Sequence, residues 1–525
     1  MPKSKNRIRK KIKQIFKRNI GYLICSLVIL TLFFGLRLIN LKGLPVFADE
    51  AIYLRWAQVM RSEPTLRFLP LSDGKQPLYM WLVMVGLRLI TDPILCGRLV
   101  SVLSGFGSLV GLSFLTWFLF KDKKIVMVVA FLYTILPFYV FFDRIGLVDS
   151  LLLMLSIWFY LLAVLLASKL RTDLAMTAGI ILGLALVTKS PALFSALLLP
   201  TTIIFVKGFF KKKTKTKFIL SFGKLVLLWG IVYLFGLGIY NLLRLGPGFE
   251  QIAMRNKDYI FPIKEVLTHP WDPLKPHLGD LKIWLPNLLT WPVIIFLLWE
   301  IIRVFFGKER KFLVGWLLLV SLGPMLAQSS IARVFTPRYL LFATWPLVVL
   351  AASGIAHLPK KFLTRIGLGV IFCWAFVYDQ KLLFKIQEAP LPQRMRTGYL
   401  QEWTSGYGIA ETALYLEARL LEIDEPILVG TEGYFGTLPD GLWLYFNHSP
   451  RLNIIGVGQP IREVSPSLLE ARKENEVYLL VNQSRMLVGN DQHLELVKKF
   501  PKAAGLNGQD FLLLYRLLDE DEIKG

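Results

Sequence analysis

Apolar runs of bilayer length recur along the chain, and its basic residues fall in the short stretches between them. Ile20–Leu38, Leu99–Phe120, Leu151–Ala167 and Phe218–Leu242 approach or exceed the roughly 20 apolar residues that cross a hydrocarbon core. A segment in lipid must satisfy its backbone polar groups internally, which restricts a chain of this pattern to packed helices. With 54% hydrophobic residues over 525 positions, the chain reads as a polytopic α-helical membrane protein. The formal net charge of +24 does not indicate nucleic acid, because the Lys and Arg residues cluster between apolar spans in the positive-inside pattern. Cys25, Cys96 and Cys373 have no CxxC or metal-ligand spacing and read as small apolar fillers.

Charge and parity set an expected topology. Residues 1–18 form a basic arm without an acid, expected in the cytoplasm. The first span is too long for a signal-peptide core, and no small-x-small cleavage site follows it. Pro77–Ile90 is short and carries Arg88. Placed at the outer interface instead of across the membrane, it leaves Lys121–Lys124, Lys169–Arg171, Lys207–Lys217, Lys308–Lys311 and Lys360-Lys361 all cytoplasmic. The expected crossings lie near 20–38, 98–120, 125–141, 150–168, 174–187, 192–206, 218–242, 284–302, 312–327, 338–357 and 362–378. That is about eleven, in a membrane domain of residues 19–380 whose first outer loop covers about 39–97. Residues 381–525 change character. A helical pattern in Tyr407–Glu422 precedes strand-like runs at Pro426–Thr431, Leu452–Val457, Val477–Val481, Leu494–Phe500 and Phe511–Tyr515, the signature of a small extracytoplasmic α/β domain.

Under this topology the polar motifs collect on the outer face. Asp49-Glu50 opens the first outer loop, and Asp73-Gly74-Lys75-Gln76-Pro77 closes it. Asp143–Asp149 joins the third and fourth spans, Lys189 lies between the fifth and sixth, and Arg338-Tyr339 begins the tenth. Adjacent carboxylates at a membrane surface are costly and need a reason. A carboxylate opposed by cations is what activating a hydroxyl and holding a phosphate leaving group requires.

The ordered set Ala48-Asp49-Glu50-Ala51-Ile52-Tyr53, Gly74-Lys75-Gln76-Pro77-Leu78-Tyr79, Arg144-Ile145-Gly146-Leu147-Val148-Asp149, Thr188-Lys189-Ser190 and Arg338-Tyr339-Leu340-Leu341 resembles the GT-C superfamily. Within it, the match is to the glycosyltransferase family 39-like group of protein O-mannosyltransferases and aminoarabinose transferases, over about residues 15–360. The resemblance implies an inverting transferase that moves a mannose-like or other hexose or pentose from a polyprenyl-phosphate donor. The acceptor is a hydroxyl on a protein, glycolipid or polysaccharide at the outer face of the cell membrane. It implies Asp49 as general base and Glu50 as its support or the group positioning the acceptor. Lys75, Lys189 and Arg338 are implied holders of the phosphate, with Tyr339 at the donor head. Asp149 is implied as a ligand of a divalent metal ion or of the sugar. Gln76 where relatives carry proline, Gly74 where an acid precedes the lysine, and Ser190 after Lys189 depart from the pattern.

Plainer readings stand beside these. Asp49-Glu50 reads equally as the acidic first turn of a helix, Lys75 as a snorkelling side chain, and Asp149 as a cap. Arg338 and Lys189 read as interfacial anchors, Asp143-Arg144 as a local ion pair, and Arg55, Arg61 and Arg67 as a wet helix face. His269, Asp272 and His277 match no metal spacing and read as part of a lid. The competing functions are a transporter or flippase of a lipid-linked substrate, against which the absence of paired halves argues, and a membrane scaffold.

Overall fold

The computed structural model describes residues 2–207, 209, 215–307, 310–447, 449–489, 493–506 and 508–518. The expected basic loops at 211–213 and 308–309 lie outside the described residues, as do the side chains of the N-terminal arm.

Six helices among the described residues are long and apolar enough to cross a membrane: Ile20–Leu38, Pro93–Phe120, Asp149–Lys169, Phe218–Leu245, Lys311–Ile331 and Lys361–Phe384. Two further segments expected as single spans are broken. Trp271–Leu288 and Trp291–Phe306 meet at 108°, and Pro337–Ala343 and Trp345–Ala356 at 60°. The first break falls at Thr290, a β-branched residue with φ of 69°, and proline follows at the start of the next helix. Thr172–Thr188 and Ser190–Phe205 are shorter apolar helical segments. The segment expected at 125–141 divides into Lys123–Ile135 and Pro137–Phe142, because Pro137 has no N–H to continue the ladder. Leu78–Gly86 is only 9 residues long, about 14 Å at 1.5 Å per residue, too short to span. The protein is a multi-pass membrane protein.

Buried charge stitches the first helix to the bundle. Arg37 and Asp143, both inaccessible, pair at 2.9 Å. Arg144 donates to the carbonyls of Leu36, Arg37, Ile39 and Asn40, closing the end of the first helix. The expected local pair between Asp143 and Arg144 is therefore replaced by two separate tethers. Cys96 is buried, but Cys25 and Cys373 are exposed and fill no core.

The C-terminal part holds a five-stranded sheet of order β2-β1-β3-β5-β4. Its strands are β1 (Ile427–Glu432), β2 (Leu452–Gly458), β3 (Glu476–Asn482), β4 (Leu494–Pro501) and β5 (Phe511–Leu517). β1 runs parallel to β2 and β3, whereas β5 is antiparallel to β3 and β4. The crossover helices Thr437–Phe446 and Pro466–Ala471 are only 10 and 6 residues long, too short to show a helical period in sequence. Thr437–Phe446 packs on the Ala48–Ser62 helix: a Cβ on Gly441 would meet Ile409 at 2.8 Å and Ala51 at 3.8 Å. Arg55 donates to Asn447 and lies 4.9 Å over Trp443, while Arg61 and Arg67 bond to the carbonyls of Leu87 and Met60. Arg55 and Arg67 are thus half-buried contacts, whereas Arg61 stays exposed at the end of the helix, as expected.

Candidate active site

Asp49 lies in the first turn of the Ala48–Ser62 helix, and that turn is fixed from both sides. Ala48 donates its N–H to Thr404 at 3.0 Å, and Gly406 donates to Val46 at 2.8 Å, so the residues before this turn pair as a short bridge with the chain that follows the last membrane helix. Glu50, one residue on, points the other way into the protein. It is inaccessible and accepts from Arg98 Nε and Nη2, both at 2.8 Å, from the Gly146 N–H at 2.8 Å and from the Phe47 N–H at 3.3 Å. A Cβ at Gly146 would lie 2.8 Å from the Glu50 carboxylate, so only glycine permits this approach. The reading of Glu50 as a group that meets the acceptor is corrected accordingly: all its lone pairs face inward, and it anchors the turn.

Asp49 faces a cavity of about 300 Å³. Lys75 Nζ meets one carboxylate oxygen at 3.0 Å and Arg338 Nη2 the other at 2.5 Å. Lys75 is delivered by the turn before Leu78–Gly86. There Gly74 takes φ of 64°, and a Cβ would strike the Gln251 carbonyl at 2.4 Å. Burial alone would raise the Asp49 pKa, but Lys75 and Arg338 hold it well below the usual carboxylate range. Burial likewise opposes the charge on Lys75, and Asp49 overcomes it, raising the ammonium pKa. Lys75 thus does not snorkel; it is a committed cation.

Asp149 begins the Asp149–Lys169 helix and accepts from Lys189 Nζ at 2.6 Å. Lys189 in turn lies 4.3 Å from the Tyr339 ring centroid. Burial pushes the Lys189 ammonium pKa down against the pull of Asp149. Asp49, Lys75, Lys189, Arg338 and Tyr339 all line the one cavity; Asp149 reaches it through Lys189, and Glu50 does not. Gln76, where the pattern departs, donates to Ser190 at 2.8 Å, the other departure. The two changes are partners.

Sequence reading missed Tyr53, Arg255, Asn256 and Tyr259, which also line the cavity. Tyr53 is one turn from Asp49, a spacing that puts both on one helix face. Arg255 reaches Asp73 at 3.8 Å, which in turn reaches Lys75 at 3.6 Å. The rest of the wall is largely apolar, including Met80, Val148, Leu193, Phe194, Ile260 and Ile331.

Cations already hold most of the carboxylate oxygens at the site. Both oxygens of Asp49 and one of Asp149 are taken by ammonium or guanidinium groups. No group of three His, Cys, Asp or Glu suited to a metal occurs among the described residues. Asp149, expected as a ligand of a metal ion or the sugar, pairs with Lys189 through one oxygen, and its other oxygen is buried without a hydrogen-bond partner. His269 and Asp272 line a separate cavity of about 270 Å³.

Residues 74–235 match the family model of dolichyl-phosphate-mannose-protein mannosyltransferase. No curated protein matches. Among solved structures the chain is similar to ArnT from Cupriavidus metallidurans in the apo state, with TM-score 0.55 and 13% identity over 95% of this chain and 98% of that one. The same protein bound to undecaprenyl phosphate gives TM-score 0.56 and 14% identity over 96% and 99%. The chain therefore shares the fold of ArnT, as the resemblance of its ordered motifs implies.

Proposed function

We propose that the protein is an inverting glycosyltransferase that moves a sugar from a polyprenyl phosphate to a hydroxyl acceptor on the outer face of the membrane. The observation that carries this reading is one carboxylate, Asp49, clamped between Lys75 and Arg338 at the head of a largely apolar cavity. The apolar wall suits an isoprenoid chain, and the cations suit the phosphate. The undecaprenyl phosphate in the similar ArnT structure supports the same class of donor.

In the resting site Asp49 is a weak base, because two cations stabilise its ionised form. A phosphate entering the cavity competes for Lys75 and Arg338. Each contact it takes from Asp49 raises that carboxylate's proton affinity. Donor binding thus readies the base and keeps it quiet otherwise. The acceptor oxygen then forms a bond to the anomeric carbon as the bond from that carbon to phosphate oxygen breaks. The acceptor proton passes to Asp49, and the electron pair leaves on the phosphate, where Lys75 and Arg338, with Lys189 beside them, balance the growing charge. No covalent enzyme intermediate is required, and no step is routed through a metal. The sugar, hexose or pentose, is read from the product.

The test uses purified protein, in detergent and reconstituted into vesicles, with a radiolabelled polyprenyl-phosphate sugar and crude envelope acceptors. Labelled product that depends on Asp49 supports the reading. Uptake into vesicles without product favours a transporter and overturns it.

A further inference from the structure

Beyond the clamped carboxylate, the C-terminal sheet carries a second cavity at the end of its parallel strands. In the order β2-β1-β3 the chain leaves β1 to one side and returns on the other, so the topological switch lies between β1 and β3. Open α/β sheets bind ligands outside the carboxyl ends of strands at such a point. Here the gap itself is closed. Asn482, ending β3, donates its N–H and side-chain amide to Glu432, ending β1, at 2.9 and 2.7 Å, and the buried Lys502 reaches the Asn482 oxygen. The open volume is displaced to the next turn, where a cavity of about 480 Å³ lies between residues 483–484, 505–506, 508–510 and the segment 393–402.

Most of its polar lining is amide and hydroxyl, from Gln393, Thr397, Gln401, Gln483, Ser484 and Gln509, and the carboxylates of Glu402 and Asp510 stand beside them. The frame is rigid. Ser484 donates its N–H and hydroxyl to Asp510, each at 3.0 Å, and Gln401 donates to the Ala504 carbonyl at 2.9 Å while accepting from Gln393 and Thr397. Gln509 donates to the Lys502 carbonyl at 2.6 Å. Among the described residues, the amide oxygens of Gln393 and Gln509 and the whole amide of Gln483 make no hydrogen bond. Free acceptors and donors of this kind match hydroxyl groups. Neither Lys nor Arg lines the cavity, which makes it a poor holder of phosphate.

The same backbone turn joins this cavity to the carboxylate site. Thr397–Gln401 is π-helical, a conformation frequent at functional sites. Thr397 and Gln401 face the cavity. Tyr399, between them, packs its ring 4.5 Å from Phe47, whose own ring lies 5.4 Å from the Arg338 guanidinium.

We propose that this amide-lined cavity is a subsite for a neutral polyhydroxyl group, the saccharide portion of the acceptor, whose attacking hydroxyl is thereby directed toward Asp49. The assignment rests on the glycosyl-transfer reading above. Gln393 and Gln483 are exposed, so replacing them leaves the fold intact. The full-length protein in detergent is applied to an array of neutral mannose, glucose, galactose and rhamnose oligosaccharides. Wild type and Asp49→Asn should retain the same glycan, and Gln393→Ala and Gln483→Ala should each weaken retention by about tenfold, the equivalent of one lost hydrogen bond. The two glutamine variants should also raise the acceptor KM with kcat within about twofold. Absence of any retained neutral glycan, retention of anionic glycans alone, or equal retention by the glutamine variants overturns the subsite. Transfer that survives Asp49→Asn overturns the base assignment instead and leaves the array result standing.

Discussion

Asp49 and Arg338 are 289 residues apart in the chain, yet their side chains meet at 2.5 Å. The contact closes the cavity head by joining the first outer turn to the start of the broken helix pair Pro337–Ala343 and Trp345–Ala356. Lys75 completes the clamp from a third direction. A carboxylate satisfied this fully at rest has its reactivity governed by whatever displaces its partners.

Asp49→Asn should lower transfer by at least about 10²-fold, the span of a general base, with donor retention unchanged or tighter because Lys75 and Arg338 are no longer shared. Label transfer and binding of radiolabelled polyprenyl phosphate separate the two effects. Transfer within a few-fold of wild type would refute the base.

Arg338→Lys is expected to behave as a loss. A lysine cannot present the planar guanidinium that reaches the Asp49 carboxylate while stacking beside Phe47 and Tyr339. Donor KM should rise by about tenfold, measured by initial rates over a donor series.

Glu50 and Arg98 form an inaccessible fork-to-fork pair. Removing one partner strands a buried charge, so Glu50→Leu or Arg98→Met alone should cost about 3–5 kcal/mol. The double variant should recover part of that loss. Thermal unfolding in detergent across the four proteins reads the coupling, and strictly additive losses would contradict it.

Acid titration should distinguish two aspartates of opposite sign. The folded pKa of Asp49 lies below its unfolded value, so its pairing stabilises the fold above about pH 4 and is lost only as pH falls through the depressed value. Asp440 is raised to about 6 by burial, against the Gly436 N–H it accepts from and nearby Arg55. Its ionisation therefore opposes folding increasingly as pH rises from about 4 through about 6. Asp440→Asn should raise the unfolding temperature at about pH 7 and leave it unchanged at about pH 4.

Reporter fusions at residues 215 and 450 should report opposite sides of the membrane, as the distribution of lysine and arginine requires. Matching signals would invert the assignment of the outer face.

Much of this was legible because lipid leaves few alternatives. Apolar length located the helices, and the charges between them grouped the polar motifs on one face. The five strands stood out as short apolar runs, each observed within a few residues of its expected ends. What sequence did not disclose was direction and pairing. Asp49 and Glu50 are adjacent and chemically alike, but helical geometry turns them about 100° apart, one to the cavity and one to Arg98. Asp143 and Arg144 are neighbours that pair elsewhere, with Arg37 and with carbonyls. The breaks at Thr290 and Thr344 are each followed two residues on by a proline, Pro292 and Pro346, a helix-start signal that apolar length alone passes over.

The bridge between Phe47 and Ser405 means that the C-terminal part is no detachable accessory. A chain shortened after Phe384 would keep the bilayer-length helices of the described residues and all three cations, yet lose the lintel over Asp49. Such a truncation should still capture the lipid carrier while turning nothing over, and that dissociation of capture from turnover is measurable in one preparation.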